Sequence, residues 1–186
     1  ARDMYTRAQQ LERRGEWGKA AAAYRLTWNQ EPGWTQALID ESRMRRAAGD
    51  TDGALAALRR APFDPDALEQ EARLLIANDQ RREAVEVVRR LMPLRPEWPD
   101  VHLLLADALS SSEPSTAATA LRRYMEDAAR LDEDELVRVG TAIVLGLASN
   151  TQRQEADELA SRVLQLVPDS PVVDTLREFH RDEEVH

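Results

Sequence analysis

The side chains able to do acid–base or metal chemistry are few and scattered. Three histidines are present, His102, His180 and His186. None has a second histidine or an ordered carboxylate at the spacing a metal ion needs, so no metal ligand is assigned. His102 falls at a helix-packing position and reads as a partly buried structural residue. His180 follows Phe179 on a terminal amphipathic stretch, and His186 closes the chain. Carboxylates are plentiful, as in Asp132-Glu133-Asp134-Glu135 and Asp182-Glu183-Glu184. A catalytic pair needs unequal environments that split two pKa values, whereas runs of like charge solvate helix starts and tails. Asp50-Thr51-Asp52-Gly53 opens like a calcium loop but lacks the later ligands, so it reads as turn chemistry. The seven glycines are scattered and make no phosphate loop. Trp17, Trp28, Trp34 and Trp98 fall at turns and helix ends, where packing accounts for them. No catalytic residue, cofactor site or metal site is expected.

Composition narrows the class. The 186 residues are 42% hydrophobic but only 5% aromatic, so the core is built from Leu, Val and Ala. A net charge of -9 repels phosphate backbones and anionic lipid heads, so no nucleic-acid partner is expected. The absence of cysteine removes disulfides, thiol nucleophiles and thiolate metal sites without assigning a compartment. The longest apolar run, Ala142 to Ala148, is far shorter than the roughly 20 residues that cross a bilayer. No membrane insertion is expected. No signal peptide is visible, and a start at Ala1 rather than Met leaves room for a removed targeting segment or further domain. Of 25 basic residues only Lys19 is lysine, a bias of GC-rich coding that points to a bacterium. Cytoplasm and periplasm or cell envelope both stay open.

The elements that would position any site are repeated. Gly15 and Gly49 lie 34 residues apart, as do Ala20 and Ala54, and Pro62 and Pro96. Ala84, Ala120 and Ala156 follow at intervals of 36. Matching places in each preceding helix hold Ala8, Ser42, Ala72, Ala106 and Ala142, and three residues later Leu11, Arg45, Leu75, Leu109 and Leu145. Small residues recur where helix axes approach to about 8–10 Å, and larger apolar ones fill the groove one turn away. Helix pairs are expected at 2–14 with 17–30, 35–47 with 51–61, 66–78 with 81–92, 98–110 with 114–130, and 133–148 with 152–166. Gly15 and Gly49 can close helices in the left-handed conformation, and Pro114 suits a first helical turn. Asp132 with Glu135 and Thr151 with Gln154 have capping-box spacing. Ser110-Ser111-Ser112 reads as a lengthened turn, and no linker divides the chain.

On these residues the chain resembles the tetratricopeptide repeat (TPR) family, whose unit is a helix-turn-helix of about 34 residues. Residues 1–34 carry the resemblance best, through Ala8, Leu11, Gly15, Trp17, Ala20, Tyr24 and Pro32. The later units are degenerate: Arg45 and His102 stand where an apolar residue is expected, and the fourth lacks the closing Pro. The resemblance implies an all-α, right-handed α-solenoid of antiparallel helix pairs, one domain over 1–186. Its units are expected at about 1–34, 35–64, 65–98, 99–132 and 133–169, with an end helix over 170–182. Val172, Val173, Leu176 and Phe179 share one face of that last helix, which either solvates the end of the array or binds a partner.

The resemblance also implies a non-catalytic adaptor that binds a protein or peptide in a groove lined by the first helix of each pair. The groove positions carried over include Arg13, Arg43, Arg46 and Arg73, a basic strip suited to carboxylates of a partner or else paired with neighbouring acids. They also include Leu103, Val139 and Ile143, expected to give apolar contact. Chaperone-binding members grip a terminal carboxylate with Lys and Asn, but the matching places here hold Tyr5, Gln9, Asp40, Asp66 and Gln70. That ligand is not expected. The stretch 133–148 is apolar almost all round, so it is covered by the end helix or neighbouring repeats, or it seats a partner or a second copy. Self-association into a homo-oligomer through this fifth unit or the end helix is therefore the alternative function.

Overall fold

The computed structural model describes residues 1–169. Among the described residues are ten α-helices, one 3-10 turn at Met92–Leu94 and no strand. They are α1 (Arg2–Arg13), α2 (Trp17–Gln30), α3 (Thr35–Ala47), α4 (Thr51–Leu58), α5 (Pro65–Ala77), α6 (Arg81–Leu91), α7 (Asp100–Leu109), α8 (Pro114–Asp127), α9 (Glu133–Ser149) and α10 (Arg153–Leu166). Successive helices pair as five hairpins. The expected end helix, with His180 and His186, lies outside the described residues. The chain divides into two compact units, Ala1–Leu94 with α1 to α6 and Arg95–His186 with α7 to α10.

One turn closes four of the five hairpins. At the end of α1, Gly15 takes φ 72°, its N–H reaches Glu12 O at 2.9 Å, and Glu16 N–H reaches Leu11 O at 3.0 Å. This is a Schellman turn, in which a left-handed residue satisfies carbonyls that the helix end leaves open. Gly49 does the same after α3. After α5 and α9 the left-handed place falls to Asp79 (φ 58°) and Thr151 (φ 64°), with the same pair of hydrogen bonds. A β-branched residue carries a steric cost there that glycine does not. Thr151 was expected to cap α10; instead it closes α9, its hydroxyl bonds the Asn150 carbonyl, and Gln152 is the residue before the helix. Asp132 does cap α9, accepting from Glu135 N–H at 3.0 Å, and Asp50 caps α4 through Gly53 N–H at 2.9 Å.

Three helix ends differ from expectation by two residues or more. α4 stops at Leu58 rather than 61, where Arg60 and Ala61 already bond carbonyls three residues back on the approach to Pro62. α7 begins at Asp100 rather than 98, because Trp98 precedes Pro99 and that position disfavours helix. α8 ends at Asp127 rather than 130, as Ala128 turns extended and the loop returns its Asp132 N–H to the Tyr124 hydroxyl at 2.8 Å.

Turn length also corrects the register of the fifth hairpin. Seven residues before each left-handed residue stand Ala8, Ser42, Ala72 and Val144, and four before stand Leu11, Arg45, Leu75 and Leu147. The fifth unit was expected to use Ala142 and Leu145 at these places. Val144 and Leu147 are fully buried, whereas Ala142 is exposed and Leu145 is 51% exposed. The longer connection between α7 and α8, residues 110–113, accounts for the slip: α9 and α10 return to a three-residue turn.

In the first unit Ala8, Ala20, Tyr24 and Met44 form a buried cluster with Met4, Tyr5 and Leu11 against it. Within the second and third hairpins, Glu41 and Glu71 hold equivalent places on α3 and α5, and both are buried. Arg60 and Arg90, again equivalent, reach them at 3.0 and 3.4 Å. In the second unit Leu121, Tyr124, Leu136, Ile143, Leu147 and Val163 are buried. Gly140 lets α9 approach α10, since a Cβ there would stand 3.2 Å from Val163 Cγ2.

Candidate partner-binding face

In the first unit α1 and α3 are tied by a polar network. The Tyr5 hydroxyl donates to Asp40 Oδ2 at 2.5 Å, and the Tyr24 hydroxyl donates to Glu12 Oε2 at 2.6 Å. Arg43 Nη2 lies 2.9 Å from Asp40 Oδ1 and 2.9 Å from Glu12 Oε1. Gln36 adds a bond to Asp40 at 3.2 Å. The Tyr5 ring stacks on Trp34 at 4.6 Å and meets Tyr24 edge-on at 5.2 Å. Burial, reinforced by the carboxylate acceptors, pushes both phenols well above their usual range, so they remain donors at any ordinary pH. Asp40, 4% exposed, is thus satisfied from three sides.

The four arginines of the expected strip divide into two kinds. Arg43 is held by Glu12 and Asp40 yet keeps half its side chain in solvent, and Arg73 Nε pairs with Glu69 at 3.1 Å one turn back on α5. Arg13 and Arg46 are exposed, and neither makes an ion pair with a described residue. Arg46 sits one turn beyond Arg43 on α3, and Arg13 adjoins Glu12, the Arg43 partner. One supported guanidinium and two unspent ones are therefore offered by α1 and α3.

The apolar part of the expected site is different. Leu103 is 2% exposed, and Val139 and Ile143 are fully buried, so these three belong to the core and offer no contact surface. With the corrected register, the α9 places equivalent to Tyr5 and Gln9 are Thr141 and Leu145. Arg138 stands near the start of the same face, its Nη2 2.6 Å from the buried Asp107 of α7. Sequence reasoning missed Arg138 and Leu145. The signal was Thr151 directly after Asn150, a three-residue turn matching that around Gly15.

The described residues contain no group of three or more His, Asp or Glu placed to hold a metal ion, and no helix long and apolar enough to cross a membrane. A hollow of about 860 Å³ in the second unit is rimmed by Asp100, Asp132, Glu133 and Asp134, with Tyr124 beside them. The Tyr124 hydroxyl is already taken by Asp132 N–H.

The model of the tetratricopeptide repeat family matches residues 45–108. No curated protein matches the chain in sequence. Among solved structures, the fold is similar to MamA from residue 41 onward of Desulfovibrio magneticus RS-1, at 16% identity and a TM-score of 0.69, covering 91% of this chain and 96% of that one. It is similar to YrrB, described as a TPR protein with an unusual peptide-binding site, at 14% identity and a TM-score of 0.70, covering 94% and 90%. It is also similar to the C-terminal part of a TPR repeat-containing protein of Cytophaga hutchinsonii, at 18% identity and a TM-score of 0.74, covering 94% and 72%. At these identities the likeness shows the fold alone.

Proposed function

We propose that this chain, which has the fold of tetratricopeptide repeat proteins and matches their family model over residues 45–108, is a non-catalytic adaptor whose first unit binds a protein or peptide through the face of α1 and α3. The repeat fold is typical of protein–protein interaction modules, and the YrrB likeness favours a peptide ligand. The observation that carries the reading is the pair Arg13 and Arg46, exposed and without ion-pair partners beside the supported Arg43. Guanidinium groups held or free at a surface suit bidentate recognition of carboxylates, so the ligand is an acidic segment. Partner capture by Arg13→Glu plus Arg46→Glu tests it: loss of the wild-type partner supports the reading, and undiminished capture removes the charged face from it.

One observation favours a second reading, self-association through the fifth hairpin: Leu145 of α9 is 51% exposed, whereas the other Leu, Val and Ile side chains of that helix are buried. Sedimentation of Leu145→Asp against the wild type separates the readings. If both are monomers at high concentration, self-association is excluded.

A further inference from the structure

A notch of about 280 Å³ lies among α2, α3 and α4 and uses none of the arginines of the partner-binding face. Arg25 of α2, Arg45 of α3 and Arg60 just beyond α4 line it. Glu41, 1% exposed, is the one carboxylate among its lining residues. It accepts from Arg45 Nε at 2.9 Å and from Arg60 Nη1 at 3.0 Å. Arg45 Nη1 also donates to Asp50 Oδ2 at 2.8 Å, and Arg60 Nη2 to Asn29 Oδ1 at 2.6 Å. Two arginines thus balance two carboxylates, and the cluster is already neutral without Arg25. Arg25 itself has no hydrogen bond or ion pair with a described residue. A third guanidinium at the same notch is a surplus like charge, unfavourable unless an anion answers it.

The wall of the notch is kept small. A Cβ at Gly53 would stand 2.6 Å from Arg45 Nη1 and 2.0 Å from Asp50 Oδ2, so a larger residue there would displace the ends of these two side chains. Ala56 and Ala57 continue the lining without reaching across it. The guanidinium nitrogens left without an acceptor are all three of Arg25, Nε of Arg60 and Nη2 of Arg45. A carboxylate is satisfied by a single fork, whereas a phosphoryl group presents three oxygens that several guanidiniums can share. The volume suits a phosphoryl group with a few attached atoms and is below the roughly 300 Å³ at which drug-sized pockets begin.

We propose that this notch is an oxyanion site for a phosphoryl dianion, free or carried on a serine side chain. Calorimetric titration of the full chain at constant ionic strength with inorganic phosphate, phosphoserine and acetate tests it. Expected is saturable phosphate binding that weakens about tenfold or more in Arg25→Gln and disappears in Ala56→Glu, which adds a carboxylate to the lining. Both positions are exposed on helices and both replacements are good helix formers, so circular dichroism of the variants should match the wild type. Tighter binding of phosphoserine than of phosphate supports the carried group, and the reverse supports the free ion. Arg13→Glu plus Arg46→Glu should leave phosphate binding unchanged, which keeps this site distinct from the partner face. Several results would overturn the proposal: no saturable heat up to about 10 mM, acetate binding as tightly as phosphate, undiminished binding in Arg25→Gln, or loss in the Arg13/Arg46 variant.

Discussion

Glu71 is 3% exposed, while Arg59 and Arg90, which reach it at 2.7 and 3.4 Å, keep nearly half of their side chains in water. The two ends of these pairs are therefore unequal. Removing the acid leaves arginines that can turn to solvent, so Glu71→Gln should cost about 1 kcal/mol. Removing Arg59 strands a buried carboxylate on its longer partner, and Arg59→Met should cost about 2 kcal/mol or more. Urea unfolding of the two variants checks the order; equal losses would mean that the two ends of the pair are alike. His102 supplies a pH-dependent effect at the same scale. Burial, aided by Arg123 and opposed by Asp127, holds its imidazole below the usual value. The unfolded chain then binds the proton more readily than the folded one. Its contribution to stability is complete above the ordinary imidazole pKa and is lost as pH falls from there towards the folded value. His102→Asn should flatten that part of the stability profile, measured by unfolding midpoints just above and just below about pH 6. The structural role of His102 was legible from its helical position. The twin placement of Glu41 and Glu71 was not, because acids at buried sites become visible only with the arginines that meet them.

Among the elements, the shared turn carries most of the fold. Thr151 and Asp79 occupy a conformation that Gly15 and Gly49 take freely, so Thr151→Gly should raise stability by about 1 kcal/mol and Asp79→Gly by less. Thermal unfolding reads both, and a lower midpoint for Thr151→Gly would count against the strain argument. The register slip in α9 gives a sharper contrast. Ile143→Asp buries an unpaired charge at a site with no exposure and should prevent folding, whereas Leu145→Asp, two residues away and half in solvent, should fold with a change below about 1 kcal/mol. The five helix pairs were legible because Gly, Pro and Asp mark their ends. The facing of α9 was not: apolar residues run almost all round it, and only the hydrogen bonds of its closing turn fix which side is inside.

At the scale of the molecule the charge is uneven. Ala1–Leu94 holds 16 Lys and Arg against 15 Asp and Glu, while the rest of the chain holds 9 against 19. The overall acidity seen in composition is therefore a property of the second unit, and the first is nearly neutral with exposed guanidiniums. The repeat architecture was readable from spacing because helix packing demands small residues at fixed intervals. The partner-facing residues were readable only in part, since Arg13 and Arg46 share residue type with Arg43 and Arg73 and also lie on the first helix of a pair, and pairing tells them apart. An acidic ligand held by exposed arginines should weaken with salt, as charges more than about 10 Å apart are screened near 0.1 M. The decisive comparison is quantitative partner capture from the native cell on wild-type chain, Arg13→Glu plus Arg46→Glu, and Leu145→Asp, each first shown to be folded. A partner retained by the wild type and by Leu145→Asp, released by salt and lost from the double arginine variant, is the predicted result. The same partner retained equally by the double arginine variant would contradict the proposed face.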